Sequence, residues 1–181
     1  MDTVRDGLEK YVGKPMGPAV VAPDPVNVPM IRHWVDALDD RNPVYLDESA
    51  AAKSRFGGVV APPAMMQTWT MARPKIEGIA ERGGAPTDFT HDNAISALNA
   101  AGFTGTLATN SELEFVRYLR PGDHLHAANE VESISPKKTT GLGQGYFVTW
   151  VTTYRTGDGE VVGRQLFRVF KFDPRTIGAP R

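Results

Sequence analysis

Cysteine is missing from all 181 residues. This excludes a disulfide framework, a thiolate nucleophile and a cysteine-ligated zinc site. An excess of one charge sign is missing too. Twenty Lys+Arg stand against 21 Asp+Glu, a formal net charge of −1, so the chain carries no electrostatic footprint for nucleic acid. No apolar run is long enough to cross a bilayer. The stretch from Met1 to Lys14 is charged throughout and has no apolar signal core. A soluble, cytoplasmic protein without nucleic-acid or membrane partners is the expectation. Histidine is scarce as well, at positions 33, 91, 124 and 126. His124 and His126 alternate after a turn, but no third ligand is near. The pair therefore reads as a solvated strand face, and no metal site is expected.

What is present falls into two halves of different period. In the first half, Leu8, Tyr11 and Val12 share one face of a short helix ended by Gly13 and Pro15. Four more prolines between Gly17 and Pro29 make the next stretch extended or irregular. Asn27 or Val28 caps a clear amphipathic helix with Pro29 in its first turn and Ile31, Trp34, Val35 and Leu38 on its apolar face. Pro43 ends it, and a short helix follows over residues 48–53. Pro62-Pro63 open a further helix over about residues 64–72. It is apolar nearly all round (Met65, Met66, Trp69, Met71) and is the candidate for a buried central helix. Residues 74–91 read as a loop, and Ile95, Leu98 and Ala101 as a helix closed by Gly102. The whole of 74–103 reads as an insertion, a lid or pocket wall.

In the second half the period changes to two. Residues 107–116, 124–134, 145–154 and 161–172 alternate or are β-branched and aromatic, with Pro121-Gly122-Asp123 and Thr156-Gly157-Asp158-Gly159 as turns. Helices followed by an antiparallel meander make an α+β fold. One domain is expected over residues 1–175, with 176–181 as a tail or linker.

The residues that point to chemistry are Asp40-Arg41-Asn42-Pro43-Val44-Tyr45. Taken alone, Asp40 is simply the aspartate of a helix-ending turn. The segment nevertheless resembles the D-x-N-P-I/L-H motif of the MaoC-like (R)-specific enoyl-CoA hydratases. Two further segments follow in the same order as in that family. Phe56-Gly57-Gly58-Val59-Val60-Ala61-Pro62-Pro63 resembles F-G-x-x-I-A-H-G, and Arg120-Pro121-Gly122-Asp123 resembles R-P-G-D. The resemblance implies a hot-dog fold, in which a curved antiparallel sheet wraps a central helix. It also implies a 2-enoyl coenzyme A thioester as substrate, with no cofactor.

In that family the Asp is a general base on water, the His holds the water and supplies a proton, and a backbone N–H at the Gly stabilises the developing enolate. Here Asp40 matches the Asp, Tyr45 stands for the His and Pro63 for the Gly. A phenol with a reference pKa near 10 does not replace an imidazole at neutral pH, and proline has no N–H. Tyr45 reads equally as a core aromatic or a substrate contact. Asn42, Tyr45, Pro63, Met65, Met66 and Trp69 are the candidate substrate-binding residues, and Asp40 is a relic or a candidate base.

Further segments, Asp24-Pro25-Val26-Asn27, Val60-Ala61-Pro62-Pro63-Ala64-Met65, Ala108-Thr109-Asn110 and Gly143-Gln144-Gly145, are similar to the larger subunit of actinobacterial steroid side-chain enoyl-CoA hydratases. That likeness implies a non-catalytic, substrate-shaping half that needs a small catalytic MaoC-like hot-dog subunit. It also implies a C-terminal zinc-ribbon and OB-fold domain in longer members, and an aldolase- or thiolase-like protein as a further partner. Two other functions stay open at this point: a homodimer using Asp40 as base, and a non-enzymatic assembly scaffold.

Overall fold

The computed structural model describes residues 2–71, 75–78 and 91–178. Helix α1 (Thr3–Leu8) is capped by the Asp2 carboxylate, which accepts from the Arg5 N–H, and passes into a 3-10 turn over Glu9–Tyr11. Leu8 and Tyr11 of this pair are buried. A two-residue strand, β1 (Val20–Val21), interrupts the proline-rich stretch. Helix α2 (Val28–Ala37) begins where its sequence says it should. Asn27 Oδ1 accepts from the Met30 N–H at 3.0 Å, with proline in the first turn. Its buried residues are Ile31 and Val35. Two short helices follow, α3 (Pro43–Leu46) and α4 (Glu48–Lys53). Much later comes α5 (Ala94–Ala100), closed at its start by a reciprocal Asn93–Ser96 capping box.

The remaining strands are β2 (Gly105–Phe115), β3 (Leu125–Ile134), β4 (Lys138–Thr140), β5 (Gly143–Thr156) and β6 (Val161–Asp173). They form one sheet in the order β1-β3-β5-β6-β2, with β4 added to β5. Every recorded pairing is antiparallel. The four strands expected from alternation are all present, within about two residues at each end. The two short ones, β1 and β4, carry too few residues for a period to show.

The helices lie on one face of this curved sheet and bury two apolar clusters against it. The first joins α2, Tyr45 and the segment Val60–Trp69 to Leu125, Ala127 and Tyr154. The second joins α1, Tyr11, α5 and Phe103 to Val131, Ile134, Tyr146, Val148 and Val169. Fully burying side chains such as Ile31 or Leu98 stabilises by about 1.5–3 kcal/mol each. On the opposite face Phe147, Phe170 and Phe172 form an aromatic row with ring centroids 4.8 and 5.7 Å apart.

Four expectations need correction. The described part of the helix expected over 64–72 is not one helix. It forms two 3-10 turns, Pro63–Met65 and Thr68–Thr70. Proline removes a donor at the start, and the Thr-Trp-Thr run is β-branched and aromatic, which disfavours helix. Helix α5 is not part of a lid, because Ala94, Ile95 and Leu98 are buried in the second cluster; most of the loop expected at 74–91 lies outside the described residues. His124 and His126 are not a solvated face: both are half-buried, and His124 Nε2 is bonded to the Ala22 carbonyl at 2.8 Å. The tail expected over 176–181 is not free at its first residue, since Thr176 Oγ1 accepts from the Gln144 N–H at 2.7 Å.

Candidate functional site

The turn that ends α2 is built from polar side chains bonding their own backbone. Asp39 takes a left-handed conformation (φ 52°), which Asp tolerates better than most residues. The Asp40 N–H then closes back onto the Val35 carbonyl at 2.9 Å. Asp40 Oδ1 accepts from the Asn42 N–H at 3.0 Å. Asn42 Oδ1 accepts from the Val44 N–H at 3.2 Å and so caps α3, whose first residue is Pro43. The Asp39–Arg41 ion pair beside them is exposed on both sides and contributes little.

This geometry leaves Asp40 half-exposed and turns Tyr45 inward, where it is buried. Burial raises the Tyr45 phenol above its ordinary value. The charges of Tyr118 and Asp40 raise it further, against a hydrogen bond with Asn42 that lowers it. Tyr45 is therefore a protonated phenol in the field of the Asp40 carboxylate, with Asn42 beside it.

Pro63 begins the first 3-10 turn and is half-buried. The Met65 and Met66 N–H groups are spent on the Pro62 and Pro63 carbonyls at 3.0 Å each. Met65, Met66 and Trp69 are all within 2 % of full burial and belong to the first apolar cluster. They pack the core beneath the site and do not line an open cleft in this chain. Trp69 Nε1 is buried without an acceptor among the described residues.

The site is held from the other side by the Arg120–Asp123 turn. Asp123 Oδ2 accepts from the Arg120 N–H and from Arg117, both at 2.7 Å, and Arg117 also grips Glu160 at 2.8–3.0 Å. Backbone bonds from this turn reach Val26, just before α2. The Arg120 guanidinium donates to the Phe56 carbonyl at 2.5 Å, and the Ala61 N–H to Leu119. One carboxylate thus organises both chain segments that converge on Asp40 and Pro63.

As chemistry, the constellation is a carboxylate and a phenol that can hold a polar group. It has no imidazole to move a proton near neutral pH, and Pro63 has no N–H to meet an enolate oxygen. His33 is exposed on α2, and His124 is committed to Ala22. No cluster of His, Asp or Glu that could hold a metal occurs among the described residues. None of their helices is long and apolar enough to cross a membrane. A shallow surface groove lies at α1, lined by Asp2, Thr3, Val4 and Lys137 and by none of the site residues.

Residues 12–165 match the model of the FAS1-like dehydratase domain region. The chain belongs to this MaoC-like dehydratase family. Within the family it is similar to the probable enoyl-CoA hydratase alpha subunit of Thermomonospora curvata, at 46 % identity over 170 residues that cover 93 % of this chain and 51 % of that protein. It is 40 % identical over 160 residues to the 3-oxo-4,17-pregnadiene-20-carboxyl-CoA hydratase alpha subunit of Mycobacterium tuberculosis, covering 88 % of this chain and 48 % of that one. The chain thus spans about half the length of these curated relatives. A chain of the ChsH1-ChsH2 complex from Mycobacterium tuberculosis superposes with a TM-score of 0.78 at 34 % identity, over 98 % of this chain and 94 % of that chain. The hydratase PhaJ1 of Pseudomonas aeruginosa shares the hot-dog fold, with a TM-score of 0.57 at 19 % identity over 90 % of this chain and 82 % of that one.

Sequence reasoning singled out the Asp40–Tyr45 turn and the Pro62–Trp69 segment, and the structure brings both into the first cluster. It missed Gln67, Ser111 and Gln165, which form a hydrogen-bonded group on the same face of the sheet. The available signal was a glutamine at an inward position of an alternating strand.

Proposed function

We propose that this chain is the non-catalytic, substrate-shaping half of a heteromeric enoyl-CoA hydratase. Its 2-enoyl-CoA substrate would come from the breakdown of a steroid side chain, and a small hot-dog subunit would carry the intact Asp and His. Coenzyme A enters only as the thioester of the substrate. The observation that carries this reading is the pairing of a retained fold with a disabled site. Tyr45 is a buried phenol at the position of the imidazole, and Pro63 removes the N–H, while the turn that presents Asp40 is intact. The named relatives, both hydratase alpha subunits, support the heteromer and the substrate class.

The edge strand β2 also favours a partner. It ends the sheet, and among the described residues its pairing is with β6 alone. Leu107, Leu113, Phe115 and, just beyond it, Val116 are 37–53 % exposed. A long edge with an open side and exposed apolar residues can pair with another sheet, and joining two sheets here would bring a second half-site to the same cleft.

The test is affinity purification of the chain from its own host, with mass spectrometry of what accompanies it. A small hot-dog protein with an intact D-x-N-P-I/L-H motif is the expected result. Recovery of a homodimer with hydratase activity of its own would overturn the proposal.

A further inference from the structure

The inner face of the sheet carries a polar chain among apolar neighbours. Tyr154 and Gln165 are both buried there, on the face that register assigns to Tyr146, Val148 and Val169. Burial pushes the Tyr154 phenol up to about 12, so it remains an O–H donor. It donates to Gln165 Oε1 at 3.0 Å. The two hydrogens of Gln165 Nε2 then go to Gln67 Oε1 and Ser111 Oγ, each at 3.0 Å. A valine would fill this position with no desolvation cost, so a fully bonded buried amide calls for a reason.

The bonding pattern fixes what the outer end can do. Gln67 accepts through Oε1, which turns its NH₂ group outward with hydrogens to give. Ser111 accepts through Oγ and keeps its O–H to give. No acceptor among the described residues takes these hydrogens, and both side chains are exposed. Leu113 and Phe115 flank them on the same face of β2 and are 37 % and 43 % exposed. A fixed point of donors among apolar side chains is what orients a polar group of a small molecule. Gln67 lies four residues beyond Pro63, between the two 3-10 turns, as the residue before the second. That separation from Pro63 places it away from the thioester end.

We infer that Gln67 and Ser111, held by Gln165 and Tyr154, recognise a carbonyl oxygen carried on the acyl part of the substrate, remote from the thioester. Because both side chains keep hydrogens to give, a ring ketone fits as their acceptor. This rests on the hydratase reading above and deepens it by naming a feature of the substrate and the residues that select it.

The test uses the chain assembled with its catalytic partner and three probes: crotonyl-CoA, 3-oxo-4,17-pregnadiene-20-carboxyl-CoA, and the same skeleton without the ring ketone. The intact complex should prefer the oxo substrate in kcat/KM by about tenfold, the worth of one or two neutral hydrogen bonds. Gln67→Leu and Ser111→Ala should each shrink that ratio, through KM for the oxo substrate. Gln165→Leu should do so as well, by releasing both. A ratio that stays the same in all three variants, or an equal fall for both ring substrates, would overturn the inference and mark the group as purely structural. Hydration of crotonyl-CoA with no preference between the ring substrates would overturn the inference alone. Failure to hydrate any of the three would overturn the hydratase reading together with it.

Discussion

Gly163 and Met66 meet so closely that no side chain fits between them. A Cβ on Gly163 would overlap the Met66 thioether and stand 2.7 Å from the Glu114 carbonyl oxygen. The methionine end could move, but the backbone oxygen of the paired strand could not. The glycine therefore sets how near the Pro63–Thr70 segment comes to the sheet, and with it where Gln67 reaches Gln165. Gly163→Ala is expected to cost about 1–3 kcal/mol, as overpacking does, and to loosen this segment before the rest. Urea unfolding gives the cost, and amide exchange at Met66–Thr70 shows where it falls. A neutral substitution would mean that β2 yields to make room.

Lys171 is buried to 1 % on the inner face of β6. It donates to the Thr106 hydroxyl at 2.6 Å and the Thr104 carbonyl at 3.2 Å, with no carboxylate partner among the described residues. Burial alone depresses its pKa from 10.5 to about 8. Between those values the unfolded chain binds the proton and the folded chain does not, so stability rises with pH from about 8 to about 10.5. Below pH 8 the fold carries the whole cost of the buried charge. Lys171→Met should raise the melting temperature at pH 7, by about 1–3 kcal/mol of stability, and flatten the rise above pH 8. Melting curves at pH 7, 8.5 and 10 check this, and a variant that melts lower at pH 7 would show that the two hydrogen bonds outweigh desolvation.

Arg117 binds Asp123 and Glu160 together, through a side chain that is 30 % exposed against 18 % and 50 % for its partners. The geometry uses the planar fork of a guanidinium, which an ammonium cannot reproduce. Arg117→Lys is expected to lose most of what Arg117→Ala loses, about 1–3 kcal/mol with the more exposed Glu160 arm counting least. Chemical denaturation of both variants decides it. Full stability in the lysine variant would reduce the interaction to a point charge.

How far the sequence foretold this molecule depends on whether the deciding physics was local. The Asp40–Asn42–Pro43 turn was legible because each side chain bonds backbone within three residues. The α2 helix was legible from its Asn27 cap and its period, and the long strands from their alternation. The break between Met65 and Thr68 was not, because the same apolar residues suit a buried helix or two tight turns. What separates these is the approach to Gly163, almost a hundred residues on. Met65, Met66 and Trp69, candidates for substrate binding, are buried in the first cluster of this chain. Composition cannot distinguish a pocket wall from the layer behind it. The buried Lys171 and Gln165 escaped notice because polar residues in an alternating strand ordinarily point to solvent.

The most direct test of the central claim is the effect of Asp40→Asn on hydration by the assembled complex. If Asp40 is the remnant of a disabled site, the rate with any 2-enoyl-CoA should stay within about threefold of the unaltered complex, while the matching change in the catalytic partner removes activity. A loss of about a hundredfold or more, the scale on which a general base acts, would make Asp40 a working base and contradict the division of labour proposed for the two subunits.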